Sequence, residues 1–247
     1  MQTLNVCTYN IHKGFSQFNR RLMVHQLRER LRTLNPDILF LQEVQGQHSR
    51  HALRHSDWPA HGQHEFLAED NWQAAYGHNA VYGHGHHGNA VLSRFPIAAA
   101  ANHDVSLTRL ERRGLLHCQL NLNDTIVHGI CVHLSLTESQ RRRQLELLAE
   151  HVERNIPRDE PLIIAGDFND WRVHASDWLA ERLNLHEAFT EFDEQPARSF
   201  PSSLPVLRLD RIYLRGLRVR DAQVHSGPRW AKLSDHAPLT AELELIA

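Results

Sequence analysis

Asp167 and Asn169, in the segment IIAGDFNDWR (163–172), leave the end of an apolar run two residues apart. The same placement recurs along the chain. Asn10 follows VCTY, Glu43 follows ILFLQ, Asn89 precedes AVLSR and His133 ends GICV. Asp210 lies in LRLDRIY, and Ser234-Asp235-His236 precedes the last apolar run. Carboxylates and carboxamides are hard oxygen ligands suited to Mg²⁺ or Mn²⁺. Histidines supply acid–base capacity or phosphate contacts near neutral pH, and a further aspartate can hold an imidazole in one tautomer. Taken singly, each residue has a plainer reading. A strand-end Asp or Asn is commonly a turn residue, His133 a satisfied imidazole, Glu43 a solvent-facing side chain, and Asp210 a partner of Arg208 or Arg211. Together the types fit one chemistry, a hard divalent cation beside acid–base groups.

Such side chains need rigid elements to aim them. Residues 4–11 (LNVCTYNI), 37–44 (DILFLQEV) and a stretch within 86–97 read as strands. Met23, Leu27, Leu31 and Leu34 recur at helical spacing over 21–34, closed by Asn35-Pro36. Residues 114–122 and 125–136 form a predicted hairpin about Asn123-Asp124. Thr137-Glu138-Ser139-Gln140 has the capping-box pattern and opens a helix that Pro157 follows. PLIIAGDF, 209–219 and 238–246 are further strands. Residues 45–78 are polar and His-rich and read as irregular with one short helix; 193–207 read as loop. Many strands with few long helices predict one α/β domain over 1–247, its sheets half covered by helices and half facing each other.

Composition is that of a globular protein, 41% hydrophobic and 23% charged. No apolar stretch approaches the roughly 20 residues that span a bilayer, so stable membrane insertion is not expected. MQTLNVCTYN lacks the pattern of a secretory signal. Cys7, Cys118 and Cys131 lie in apolar runs with no CxxC pair, as expected of reduced, buried thiols in a cytoplasmic protein. A net charge of −2 argues against a non-specific nucleic-acid coat protein. It leaves room for an enzyme that grips phosphate locally.

The segments TYNIHKG, LQEV, GNAVLSR, VHLSL, GDFND, RLDRIY and SDHAPL occur in that order from residue 5 to about 240. Together they resemble the endonuclease/exonuclease/phosphatase superfamily, with its DNase I-like fold. The resemblance implies a four-layer α/β/β/α sandwich with the site at one end between the sheets, and metal-dependent cleavage of a phosphoester. Glu43 matches the metal-binding glutamate, Asn10 the first-strand asparagine near metal and phosphate, and Asp235 a metal-site aspartate. Asp167 and Asn169 match the pair that orients water and phosphate. His236 matches the invariant histidine, with Asp210 as its carboxylate partner. His133 stands where DNase-like members have His and some repair endonucleases have Tyr. One departure is His12, where some repair endonucleases carry a metal-site aspartate.

The expectation is therefore Mg²⁺ (or Mn²⁺) on Glu43 with Asn10, Asp235 or both, and in-line attack of water activated by Asp167 or His236. His133 and Asn169 donate to the phosphate, and Asn89 and Arg113 are candidate substrate contacts. Arg113 reads equally as an exposed flank residue. Nucleic acid is the favoured substrate, lipid or small phosphate esters the alternative, and a non-catalytic binding protein the contrasting class. GHGHHGN (83–89) invites a transition-metal reading, but a loop at the mouth of the site with His86 or His87 near substrate is preferred. Arg141 to Arg143 read as a solvated helix face, Arg208, Arg211, Arg215, Arg218 and Arg220 as an outer basic strip. Trp58, Trp72, Trp171, Trp178 and Trp230 could stack bases or touch lipid, but at least half are expected in the core.

Overall fold

The computed structural model describes residues 3–172 and 174–246. In chain order, β1 (Thr3–Asn10) leads through short 3₁₀ turns to α1 (Val24–Leu34), β2 (Ile38–His48), α2 (Ser49–Arg54) and α3 (Gln63–Ala68). Next come β3 (Gln73–Tyr82), β4 (Gly85–Ser93), β5 (Ile97–Asp104), β6 (Gly114–Leu122), β7 (Thr125–His133) and α4 (Glu138–Asn155). The chain ends with β8 (Leu162–Asp167), α5 (His174–Leu183), β9 (His186–Glu187), β10 (Asp210–Arg215), β11 (Leu217–Val224) and β12 (Leu239–Leu245).

The strands form two six-stranded sheets, ordered β11-β12-β1-β2-β4-β3 and β5-β6-β7-β8-β10-β9. Each holds one parallel pair, β1–β2 and β7–β8. A parallel pair needs a crossover, which α1 supplies in the first sheet and α4 in the second. Strand alternation then sorts the apolar residues into three cores. Val6, Ile38, Phe40, Val91, Cys131, Ile163 and Ala165 pack between the sheets. Tyr9, Leu39 and Leu41 meet Leu27 and Leu31 of α1 on one outer face. Ile130, Leu162 and Ile164 meet Leu145, Leu148 and Leu179 on the other. Three interfaces make four layers, the α/β/β/α sandwich.

Several readings are corrected. Residues 209–219 are two strands in different sheets, because the chain turns at Gly216 with φ +72°. The basic strip is therefore not formed. Arg211 is fully buried and donates to the backbone carbonyls of Asp210 and Asp170, whereas Arg218 and Arg220 lie exposed on β11. Arg141 is buried against the Ser135 and Leu136 carbonyls, so only its neighbours Arg142 and Arg143 belong to a solvated face. Thr137 caps α4 by position without a side-chain hydrogen bond. Residues 45–78 contain the end of β2, two short helices and half of β3 rather than one helix. Among the tryptophans Trp72 is buried, Trp58, Trp178 and Trp230 are half-buried, and Trp171 is exposed.

Gly166 lies opposite Val132 in the parallel pair of β7 and β8. Its φ is +150°, and a Cβ there would meet the Val132 carbonyl oxygen at 2.0 Å. The obstacle is backbone and cannot yield without moving the strand that ends in His133. Gly166→Ala is expected to destabilise the fold by on the order of 3 kcal/mol, read as a lower urea midpoint.

Candidate active site

The two parallel pairs end side by side, and their C-terminal ends carry the polar residues. Asn10 lies opposite Gln42 in the first sheet, one residue before Glu43. In the second sheet His133, Asp167 and Asp210 form a row across β7, β8 and β10. Asn10 joins the two sheets. Its amide Nδ2 donates to Asp167 Oδ2 at 3.1 Å, and its Oδ1 accepts the His12 N–H at 3.1 Å.

Asp167 Oδ2 is the centre of the cluster. His133 Nε2 lies 3.5 Å away and His236 Nε2 3.7 Å. The other oxygen, Oδ1, accepts the Asn169 N–H at 2.9 Å. Burial raises the Asp167 pKa to about 7; Asp210 adds to the shift, and His236 and the two hydrogen bonds oppose it. Asp210 is fully buried and takes two donors on Oδ2, His236 Nδ1 at 2.8 Å and the Ser199 hydroxyl at 2.5 Å. Burial alone would lower the His236 pKa, but the carboxylates of Asp210 and Asp167 lift it to about 10. The two acidic neighbours thus favour the imidazolium form of His236. His133 is a neutral imidazole, its pKa pushed well below normal by burial and then by Arg113 and His236.

Glu43 and Asp235 face the same end of the sheets. Their side chains keep 21% and 20% of their surface exposed, against 2% for Asp167, so these two oxygen sets remain open to a ligand from solvent. Lys13 Nζ lies 3.6 Å from Glu43 Oε2, and His12 Nδ1 3.4 Å from Asp235 Oδ1. Burial would raise the Glu43 pKa, yet Lys13, His12, His236 and His87 hold it below normal. The backbone here is unusual. His12, Lys13, Glu43 and Asn169 all have left-handed φ, between +46° and +58°. Asparagine tolerates this conformation, whereas for Lys13 and Glu43 it costs about 1–3 kcal/mol each. Glu43 sits at a register break between β2 and β4. Asn169 lies beyond β8, so its left-handed backbone and the Asp167 hydrogen bond place it, not strand alternation.

The other predicted contacts are placed unevenly. Asn89 is buried and donates to the Gly114 and Cys131 carbonyls across the gap between sheets. It ties the sheets together beneath the site. Arg113 is held by Glu111 and the Leu134 carbonyl and acts on His133 through its charge. It is not an exposed flank residue, having 13% side-chain exposure. GHGHHGN is strand rather than loop from Gly85 on. His87 interacts electrostatically with Glu43, and His86 contacts Tyr76 and His78. Among the described residues, no three-ligand metal group includes His84–His87. The thiols are buried, and burial raises Cys7 and Cys118 to about 12, which disfavours the thiolate a nucleophile needs. Sequence reasoning missed Lys13, Ser199 and the pair Arg141–Trp171, stacked at 4.8 Å two residues past Asn169. Lys13 had a signal, its place in TYNIHKG beside His12; Ser199 had none.

The elevated His236 pKa makes a stability prediction. Below about 6.5, the ordinary value, His236 is protonated folded or unfolded and its ion pairing contributes in full. Between 6.5 and about 10 only the folded state holds the proton, so this contribution declines and is gone above 10. Urea midpoints measured from pH 6 to 10 should fall more steeply for wild type than for His236→Gln.

The profile of the Endonuclease/Exonuclease/phosphatase family matches residues 7–236. The uncharacterized protein YbhP of Escherichia coli K12 is 47% identical over 246 residues, covering 98% of this chain and 97% of its own. In three dimensions the chain is similar to the mannosyl-6-phosphatase Bt3783 of Bacteroides thetaiotaomicron, at 19% identity and TM-score 0.72, covering 98% and 100% of the two chains. It is also similar to D. rerio TDP2 complexed with single strand DNA product, at 16% identity and TM-score 0.71, covering 99% and 100%. With the family profile spanning nearly the whole chain over this sandwich and this cluster, the chain belongs to the endonuclease/exonuclease/phosphatase family of phosphoesterases.

Proposed function

We propose that the chain is a divalent-metal-dependent phosphodiesterase of nuclease type, acting on DNA or RNA. The observation that carries this reading is the convergence of Asn10, His133 and His236 on one buried oxygen of Asp167, beside the open carboxylates of Glu43 and Asp235. The donor set fits Mg²⁺ or Mn²⁺, because Glu43 and Asp235 offer hard, partly open oxygens and Lys13 already marks the Glu43 oxygen as a cation position. Glu43 and Asp235 would hold the ion, with the Asn10 carbonyl beside them. Asn10 serves chiefly as a positioning residue, since both ends of its amide are engaged. A bound ion supplies Lewis-acid polarisation of a phosphoryl oxygen and charge neutralisation at the leaving side.

The chain's own residues do the rest. Asp210 fixes His236 by Nδ1 and keeps it charged, so Nε2–H is a donor to a phosphoryl oxygen rather than a base. Asp167 Oδ2, aimed by Asn10 and by the Asn169 N–H on the other oxygen, accepts the proton of the attacking water. One Asn169 N–H is held by the Leu134 carbonyl, which directs the second N–H of that amide. The exposed Trp171, backed by Arg141, offers a stacking surface for a base next to the phosphate. This favours nucleic acid over small esters, the class suggested by the likeness to a mannosyl-6-phosphatase.

A substrate panel tests the reading: supercoiled plasmid, single-stranded DNA, RNA, phospholipid vesicles, and simple mono- and diesters with Mg²⁺. Cleavage of DNA or RNA is expected, with Trp171→Ala raising KM more than it lowers kcat. Turnover confined to lipid or small esters would replace the nuclease reading.

A further inference from the structure

A second set of histidines lies away from the strand ends, under α4. Leu115 belongs to the helix-side core and Leu116 and Cys118 to the core between sheets, so His117 projects from β6 toward α4. By the same alternation His128 of β7 shares that face with Ile130. His151 comes down from α4 and His103 from β5, the outermost strand of this sheet. One ligand nitrogen from each of His103, His117 and His151 lies within 4.8 Å of the others. His151 Nε2 and His117 Nδ1 are 3.0 Å apart. Two nitrogens on one tetrahedral Zn²⁺ stand about 3.3 Å apart, given Zn–N bonds near 2.05 Å.

The hydrogen bonds behind His117 have a direction. His128 Nε2–H donates to Glu160 at 2.5 Å, which leaves His128 Nδ1 to accept from His117 Nε2–H at 2.8 Å. That fixes the His117 lone pair on Nδ1, the atom facing His151. A histidine whose far N–H is anchored through a partner to a carboxylate is the arrangement metal-binding imidazoles use to fix tautomer and basicity.

We propose that His103, His117 and His151 form a Zn²⁺ site with water in the fourth position, clamping edge strand β5 to α4. His117 binds through Nδ1. His151 binds through Nε2 and shifts its proton to Nδ1, so no net proton is released; the Asn155 amide, whose Nδ2 faces Nδ1 at 3.2 Å, must turn away from it and keep only its bond to the His151 carbonyl. His103 is exposed and its ring lies 4.2 Å from that of His151, so it can swing in as the third ligand. Burial, then repulsion among neighbouring histidines, lowers the pKa of His117 to about 3 and of His151 to about 4. No residue of the Asp167 cluster takes part, so metal binding here is separable from turnover.

The test uses metal-stripped full-length protein in saturating Mg²⁺, titrated with Zn²⁺ by calorimetry and followed by thermal unfolding. The chain has 20 histidines, so the reading is a difference between proteins. Wild type should bind one Zn²⁺ more than His103→Ala/His151→Ala, and its midpoint should rise with Zn²⁺ by more than the variant's. Co²⁺ should give a tetrahedral visible band that the variant lacks. His103→Ala alone, at an exposed position, supplies a folded comparison and should weaken the site at least tenfold. Equal Zn²⁺ uptake and equal thermal shifts in wild type and the variants would overturn the proposal.

Discussion

His236→Ala is expected to lower kcat by on the order of 10³-fold. The imidazolium stands between Asp210, 2.8 Å from Nδ1, and Asp167, 3.7 Å from Nε2. In the reaction proposed above it donates to the phosphoryl group where negative charge grows, a position at which preorganised donors have large effects. Alanine also leaves Asp210 buried with the Ser199 hydroxyl in place of a cation. Breaking a buried pair in this way costs about 3–5 kcal/mol. Circular dichroism and urea unfolding must therefore accompany the kinetics, and a folded His236→Gln serves as the second variant. Wild-type turnover in either folded variant would remove His236 from the reaction.

Asp167→Asn should lose activity to a similar degree while keeping its stability. The asparagine Oδ1 can still accept the Asn169 N–H, but the site loses the carboxylate that takes the water proton. The native charge is costly, since burial lifts the pKa to about 7. Removing it offsets the mismatch that a new amide makes with the Asn10 amide donor. The expected result is kcat down on the order of 10³-fold with stability within about 1 kcal/mol of wild type. A variant that is destabilised by several kcal/mol, or that turns over normally, would contradict this role. A loss of stability in His236→Ala and not in Asp167→Asn would separate the pinned cation from the carboxyl group whose charge is costly to bury.

The parts of the fold legible in the sequence are those where local preference and tertiary role agree. The hairpin of residues 114–122 and 125–133 is rich in β-formers and turns on Asn123 in a left-handed conformation that asparagine tolerates. α1 shows its buried face as Leu27 and Leu31 and stops at a left-handed Asn35. Where the two disagree, the sequence misleads. β5 is IAAAANHD, a run that favours helix by propensity and is exposed almost throughout. Only pairing with β6 makes it a strand. In the run 209–219 the only local sign of the change of sheet is Gly216, a glycine inside a strand-like pattern whose left-handed φ lets the chain turn. The candidate site was legible for a physical reason: the ends of β1, β2, β7 and β8 converge, and short polar residues at the ends of apolar strands are visible without an alignment. His12, Lys13 and Arg141 were harder to place because loop geometry and a buried helix contact bring them in. The histidines under α4 are scattered over three strands and a helix, and only the fold assembles them.

The central claim is that the Asp167 cluster and the Glu43–Asp235 oxygens work as one metal-dependent hydrolytic site. The most direct test is turnover of the best phosphoester substrate by metal-stripped protein, before and after Mg²⁺ or Mn²⁺ is restored, with wild type, Glu43→Gln and Asp167→Asn side by side. The account predicts no turnover without metal and recovery in wild type. Glu43→Gln should recover only at much higher metal concentration, and Asp167→Asn should not recover at any. Full turnover in chelator, or equal recovery in all three proteins, would contradict it.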